Sequence, residues 1–226
     1  MAGIGLYGVF YSKCVKNGGV VTGYDGTVKM MGKAISAGFE PNTPEDNPLY
    51  ANNGIGENDY STGSGGTLTM TLDRMTLETG ADLYGTTVKD VEVTVGDQTV
   101  KGKEIVYKGD EVSAPIGAAY IKLQQEDGER SHEVVFYREV EMSRPGEDAK
   151  TMGETLEWQT PEVTGTVVGL QGTGAQPWYR ASRWPTQEAA VAYIFKLFGS
   201  TATPDQIAQI VNFMNEETED PNEVGV

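Results

Sequence analysis

Apolar and polar residues alternate most cleanly over residues 67–72 (TLTMTL), where Leu68, Met70 and Leu72 fall on one side and three threonines on the other. A period of two is the mark of a half-buried strand. The same period recurs at Val91, Val93 and Val95, separated by Glu92 and Thr94, before Gly96-Asp97 turns the chain toward a strand over 99–107. Further strands are expected at 118–125, 132–142, 155–160 and 163–170, and at 34–40, which Pro41 ends by removing a backbone donor. Two short strands around Asn17-Gly18-Gly19 read as a hairpin. In 132–142 strict alternation puts Val134, Phe136, Val140 and Met142 on one face, with Glu133, Val135, Tyr137, Glu139 and Glu141 on the other. Three carboxylates do not belong in a dry core, so that second face is expected to meet water.

The period changes to that of a helix in three places. Asp73 can cap a short helix over 74–84 that Gly85 ends. Thr186 can cap a helix to Phe198, with Ala190, Tyr193, Ile194 and Leu197 in one stripe and Gly199 as its stop. Thr203-Pro204-Asp205-Gln206 is a capping box with proline at the first helical position, followed by Ile207, Ile210, Val211 and Met214 at i, i+3, i+4, i+7 spacing. The pattern predicts a mainly β fold of two packed antiparallel sheets, a β-sandwich or half-barrel, with a flanking short helix. Residues 1–185 form its β-domain, with an N-terminal arm and a long polar loop at 41–66; residues 186–226 form a helical C-terminal extension with an acidic tail. Leu49, Tyr50, Ile55 and Tyr60 are apolar anchors in that loop, which suits docking on a neighbour as well as a solvated excursion.

Composition sharpens this picture. The 29 glycines, with hydrophobic residues at 38%, favour turns and β-structure over a bundle. No apolar run long enough for a membrane helix occurs, and the start lacks a secretory signal, so the chain is expected to stay in the cytoplasm in which it is made. Seventeen basic residues against 33 acidic ones give a net charge of −16, which opposes ordinary binding to a phosphate backbone. The basic residues Lys13, Lys16, Lys29 and Lys33 sit near the N-terminus with only Asp25 to oppose them.

Candidate chemistry is thin. Gly3-Ile4-Gly5-Leu6-Tyr7-Gly8 satisfies G-x-G-x-x-G, but no strand can precede it and strand-forming residues follow, so a flexible arm leading into a strand is expected. One histidine, His132, and one cysteine, Cys14, leave zinc without a ligand set and nucleophilic catalysis without a pair. Cys14 reads as a small buried strand residue. Paired carboxylates for glycoside hydrolysis lack an aromatic cleft, and loop acids near Glu45 or Glu57 lack calcium-loop spacing. Trp178 and Trp184, with Arg180 and Arg183 between them, are either a binding platform or apolar anchors where a helical segment packs on the sheet.

The segment LYGVFYSK, the strand end ISAGFEP, the loop phrase NPLYANNG, the run TLTMTLDRM and the long stretch HEVVFYREVEMSRPGEDAKTMGETLEWQTPEVTGTV, followed by WYRASRWP, together resemble the major tail proteins of long non-contractile-tailed bacteriophages, most closely the phi13-type group. The resemblance covers roughly residues 1–185 and carries no catalytic signature. It implies a non-enzymatic virion protein without a cofactor or metal. Such a subunit forms rings, expected from the resemblance to be hexamers, that stack into the tail tube conducting the genome. Its partners would be itself and other tail proteins at the tube ends, with DNA passing through the lumen unbound, and it would be assembled in the host bacterial cytoplasm.

On that reading Leu6, Tyr7 and Phe10 of the arm, and Leu49, Tyr50, Asn52, Asn53, Ile55 and Tyr60 of the loop, are the expected subunit and ring contacts. Glu133, Glu139, Glu141 and Glu157 are the expected acidic lining of the lumen, though alternation alone does not say which face is inside. The alternative is a β-sandwich binding module, a virion decoration or carbohydrate-binding protein.

Overall fold

A computed structural model of the chain describes residues 2–43, 46–51, 54–60, 64–108, 112–144, 151, 159–169 and 177–216, with the backbone alone at 2, 46–51 and 54–60. The fold is mainly β and antiparallel. Its centre is the long hairpin of β10 (Ile116–Glu126) and β11 (Glu129–Met142), flanked by β1 (Ala2–Asn17). The large sheet runs β2 (Val20–Tyr24), β1, β10, β11, β12 (Glu162–Val167), β7 (Gly66–Leu72), β4 (Ala34–Pro41), with β3 (Lys29–Gly32) on β1 and β13 (Tyr179–Trp184) on β11. Two ribbons stand apart from it: β5 (Asp46–Ala51) with β6 (Gly54–Tyr60), and β8 (Val88–Val95) with β9 (Gln98–Ile105).

Both faces of the large sheet are covered. One face holds Val9, Tyr11, Ile116, Tyr120, Val135 and Tyr137 against Leu68, Met70 and Leu72 of β7, closed by Leu83 and Tyr84 of α1 (Leu77–Tyr84). The other holds Phe10, Ala119, Ile121, Val134 and Phe136 beneath α2 (Gln187–Leu197) and α3 (Pro204–Asn215). The two C-terminal helices are therefore a layer packed on the sheet. Their caps are those the sequence predicts, Thr186 accepting from the Ala189 N–H and Thr203 sharing a reciprocal box with Gln206.

The expected alternation in β11 fails at one place, and the reason is a bulge. Ala118 pairs with Tyr137 but Ile116 pairs with Val140, so β11 carries one extra residue there. An inserted residue reverses the facing of all that follows. Val134 and Phe136 face the helices, whereas Val140 and Met142 join Val135 and Tyr137 on the opposite face. At the same point the outer edge of β11 changes partner, from β13 at 132–137 to β12 at 140–142. The bulge is where one sheet divides into two directions.

Other expectations need correction. Residues 2–6 are no free arm, because Ala2 already pairs with Gln125 and Leu6 with Lys122. Asp73 does not cap α1: its carboxylate accepts from the Lys33 N–H at 2.9 Å, and Thr76 caps by accepting from Thr79 N. Gly85 ends α1 in the left-handed region at φ 74°, as expected. The stretch read as a loop at 41–66 contains the β5–β6 ribbon, with Tyr50 opposite Ile55. The segment around Trp178 and Trp184 is the strand β13, not a helix. β12 stops at Val167, and most of the strand expected at 155–160 lies outside the described residues.

Candidate functional site

The expected contact residues fall in three different settings. Phe10 is 1% exposed and packs under α2 and α3, so its side chain is used inside the chain. Leu6 and Tyr7 are half-buried on opposite faces of β1, Tyr7 lying 5.9 Å from the His132 ring. Leu49 and Tyr50 lie on β5 and Ile55 and Tyr60 on β6, where the backbone forms the ribbon; Asn52 and Asn53 lie outside the described residues.

The four acids expected along a lumen are equally divided. Glu133 is half-buried and accepts from the Gln124 side-chain amide. Glu139 is 2% exposed and forms an ion pair with Lys16, with Glu141, 60% exposed, at 4.0 Å from the same ammonium. The bulge explains this: Glu139 lies between Val140 and Arg138 on the face opposite Val140, where the end of β1 covers it. The water-facing stripe predicted for this strand is therefore broken, since Val135, Tyr137 and Glu139 are all buried. Glu157 lies outside the described residues.

The β8–β9 ribbon has a feature that the sequence reading left unused. Val93 stands opposite Val100, Val91 opposite Gly102 and Val95 opposite Gln98. Directly opposed residues share a face, so Val91, Val93, Val95 and Val100 form one apolar surface. The other face carries Asp90 opposite Lys103, Glu92 opposite Lys101 and Thr94 opposite Thr99. The Glu92–Lys101 ion pair closes at 3.3 Å. Yet the valine face is open, Val93 being 59%, Val95 66% and Val100 48% exposed. Val91-Val93-Val95 alternation announced the face; only the cross-strand register, which adds Val100, shows its extent.

The reactive residue types are occupied structurally. Burial first, and then the Glu139 carboxylate, push the Cys14 thiol up to about 12, so it carries almost no thiolate at neutral pH. Burial holds the His132 imidazole below its ordinary value. Asp82 of α1 accepts from Tyr11 at 3.1 Å, Lys13 at 2.7 Å and Lys29 at 2.5 Å, which ties the helix to β1 and β3. Burial raises its pKa, but the bonds from Lys13 and Lys29 outweigh that and hold it below the usual range. Trp178 and Trp184 are half-buried, Trp178 against Phe39 and Trp184 against Tyr193. That arrangement makes them anchors in the two cores rather than an open platform.

Among the described residues, no group of three or more His, Cys, Asp and Glu side chains converges as metal ligands would. Among them, too, no helix is long and apolar enough to cross a membrane. No protein-family profile and no curated protein matches the chain.

Proposed function

We propose that the chain is a structural, self-assembling virion protein, the subunit whose stacked rings form a phage tail tube. The observation that carries this reading is the uncovered valine face of the β8–β9 ribbon. A two-stranded ribbon is marginal alone in water, and an amphipathic one needs a surface to lie on. Among the described residues this ribbon pairs with no other strand, Glu92 and Lys101 form an ion pair across its charged side, and its valine side is left for a neighbour. The second ribbon, β5–β6, lies outside the large sheet in the same way. A chain with net charge −16 suits a conduit through which nucleic acid slides without adhering.

Electron microscopy of the purified protein over a concentration series, at low and high salt and with tail tips added as a seed, tests this directly. Rings or tubes with a central channel are expected. A monodisperse monomer under all these conditions would reject the reading. Replacing Val93 and Val100 together with lysine should abolish assembly while leaving the circular dichroism spectrum unchanged, because both side chains already face solvent in the single chain.

A further inference from the structure

The β10–β11 hairpin ends in an acidic tip, Glu126-Asp127-Gly128-Glu129, all four residues exposed. Arg183 pairs with Glu126 at 3.7 Å, and Asp127 and Glu129 line the same surface hollow as Arg130 and Arg183 while remaining exposed. Asp127 holds a left-handed backbone, φ 50°, a conformation that Asp and Asn tolerate better than most residues. Ten residues along β11 from Gly128, roughly 30 Å at about 3.4 Å per residue, lies a pocket of opposite sign. Its volume is about 280 Å³. Arg138 of β11, Arg180 of β13 and Lys196 in the last turn of α2 line it, with Tyr24, Phe136 and Tyr193 as aromatic wall, and no carboxylate is among its described lining residues. On a chain with nearly twice as many acids as bases, three cations lining one pocket are a local concentration of positive charge.

The pocket is held in place from several sides. Arg138 donates to the Val21 carbonyl, and the Tyr24 hydroxyl donates to the Arg138 carbonyl at 2.8 Å. Both guanidiniums act electrostatically on Tyr24: burial pushes that phenol up, while Arg138 and Arg180 pull it the other way. Guanidinium groups beside an aromatic wall favour planar oxyanions, which they bind through paired N–H bonds.

We propose that the acidic tip of one copy seats in the cationic pocket of the next, Asp127 and Glu129 meeting Arg180 and Lys196. Tip and pocket lie at different points along one long hairpin, and the tube reading above takes their contact as head-to-tail rather than as a reciprocal exchange between two copies. A heterologous contact of this kind leaves a free tip and a free pocket on every added copy, and so propagates into a ring or a filament. This rests on the self-assembly reading above and names a contact within it.

Two variants test it. Asp127→Asn with Glu129→Lys turns the two contacting positions from acidic to basic while keeping a residue suited to the left-handed turn. Arg180→Glu with Lys196→Glu makes the pocket acidic. Each variant alone should raise the concentration needed for assembly at least tenfold in sedimentation velocity, with an unchanged circular dichroism spectrum. An equimolar mixture should restore assembly, because the altered tip positions then meet an acidic pocket and the unaltered acidic tip a basic one. Wild-type assembly undisturbed by either variant would overturn the contact and leave the self-assembly reading standing. Variants that each block assembly but fail to restore it when mixed would also overturn it. A wild-type chain that remains monomeric under all conditions would reject the reading and the contact together.

Discussion

Lys16 reaches over the end of β11 to the carboxylate of Glu139, which is 2% exposed, and is itself 30% exposed. A buried carboxylate needs its cation more than the pair needs to exist: removing one partner strands a charge, while replacing both with apolar groups can be neutral. Lys16→Ala should therefore destabilise the fold by about 2–3 kcal/mol, less than a sealed pair would lose because water reaches the lysine. Lys16→Met combined with Glu139→Leu should recover most of the loss. Urea denaturation of the two variants checks this, and an unchanged midpoint for Lys16→Ala would show that Glu139 finds other compensation. The hydrogen bond to Glu139 holds the Lys16 ammonium above its ordinary pKa, so the stabilisation that its positive charge contributes fades as pH rises above about 10.

Among the elements, β2 and the end of α2 meet over a single glycine of β10. Tyr24 and Phe198 meet edge to face at 5.0 Å, and both rings sit on Gly117 of β10. A methyl group there would lie 2.5 Å from Tyr24 Cε1 and 2.8 Å from Phe198 Cε1. Gly117→Ala should cost about 2 kcal/mol by overpacking, and limited proteolysis should then cut first in α2 and α3; a stabilised variant would reject this account. Elements of this kind divide into those legible in the sequence and those that are not. β7 and the caps at Thr186, Thr203 and Gly85 were readable because each depends on residues within one turn or one strand. The β11 bulge was not, because Arg138 and Glu139 look like any alternating pair until β10 fixes the register opposite them. β13 escaped for a similar reason: Arg180 and Arg183 mask a strand whose partner is about fifty residues away in sequence, at His132–Tyr137. At the candidate site, the valines of β8 were visible but the pocket was not, since Arg138, Arg180 and Lys196 come from three separate elements.

At the scale of the molecule, the titrating groups are unevenly arranged, and this makes the chain vulnerable on one side of the pH scale. Six of the nine tyrosines whose side chains are described, Tyr11, Tyr24, Tyr84, Tyr120, Tyr137 and Tyr179, have phenols raised above their ordinary value, chiefly by burial. Tyr84 is pushed up to about 12, as is Cys14. Each keeps its proton in the folded chain at a pH where the unfolded chain has released it, so the unfolded state binds fewer protons and stability falls as pH rises. Their contribution is complete below the unfolded values, near 8.5 for a thiol and 10 for a phenol, and is lost progressively above them. Denaturant midpoints should hold through neutral pH and drop steeply from about pH 9.5 upward. The ultraviolet absorbance of phenolate distinguishes this from simple surface titration. The buried phenols of Tyr11, Tyr84, Tyr120 and Tyr137 should ionise in a single step that coincides with the loss of circular dichroism. If the buried phenols instead titrate smoothly while the chain remains folded, the core is more open to water than the packing of Tyr11, Tyr120 and Tyr137 requires.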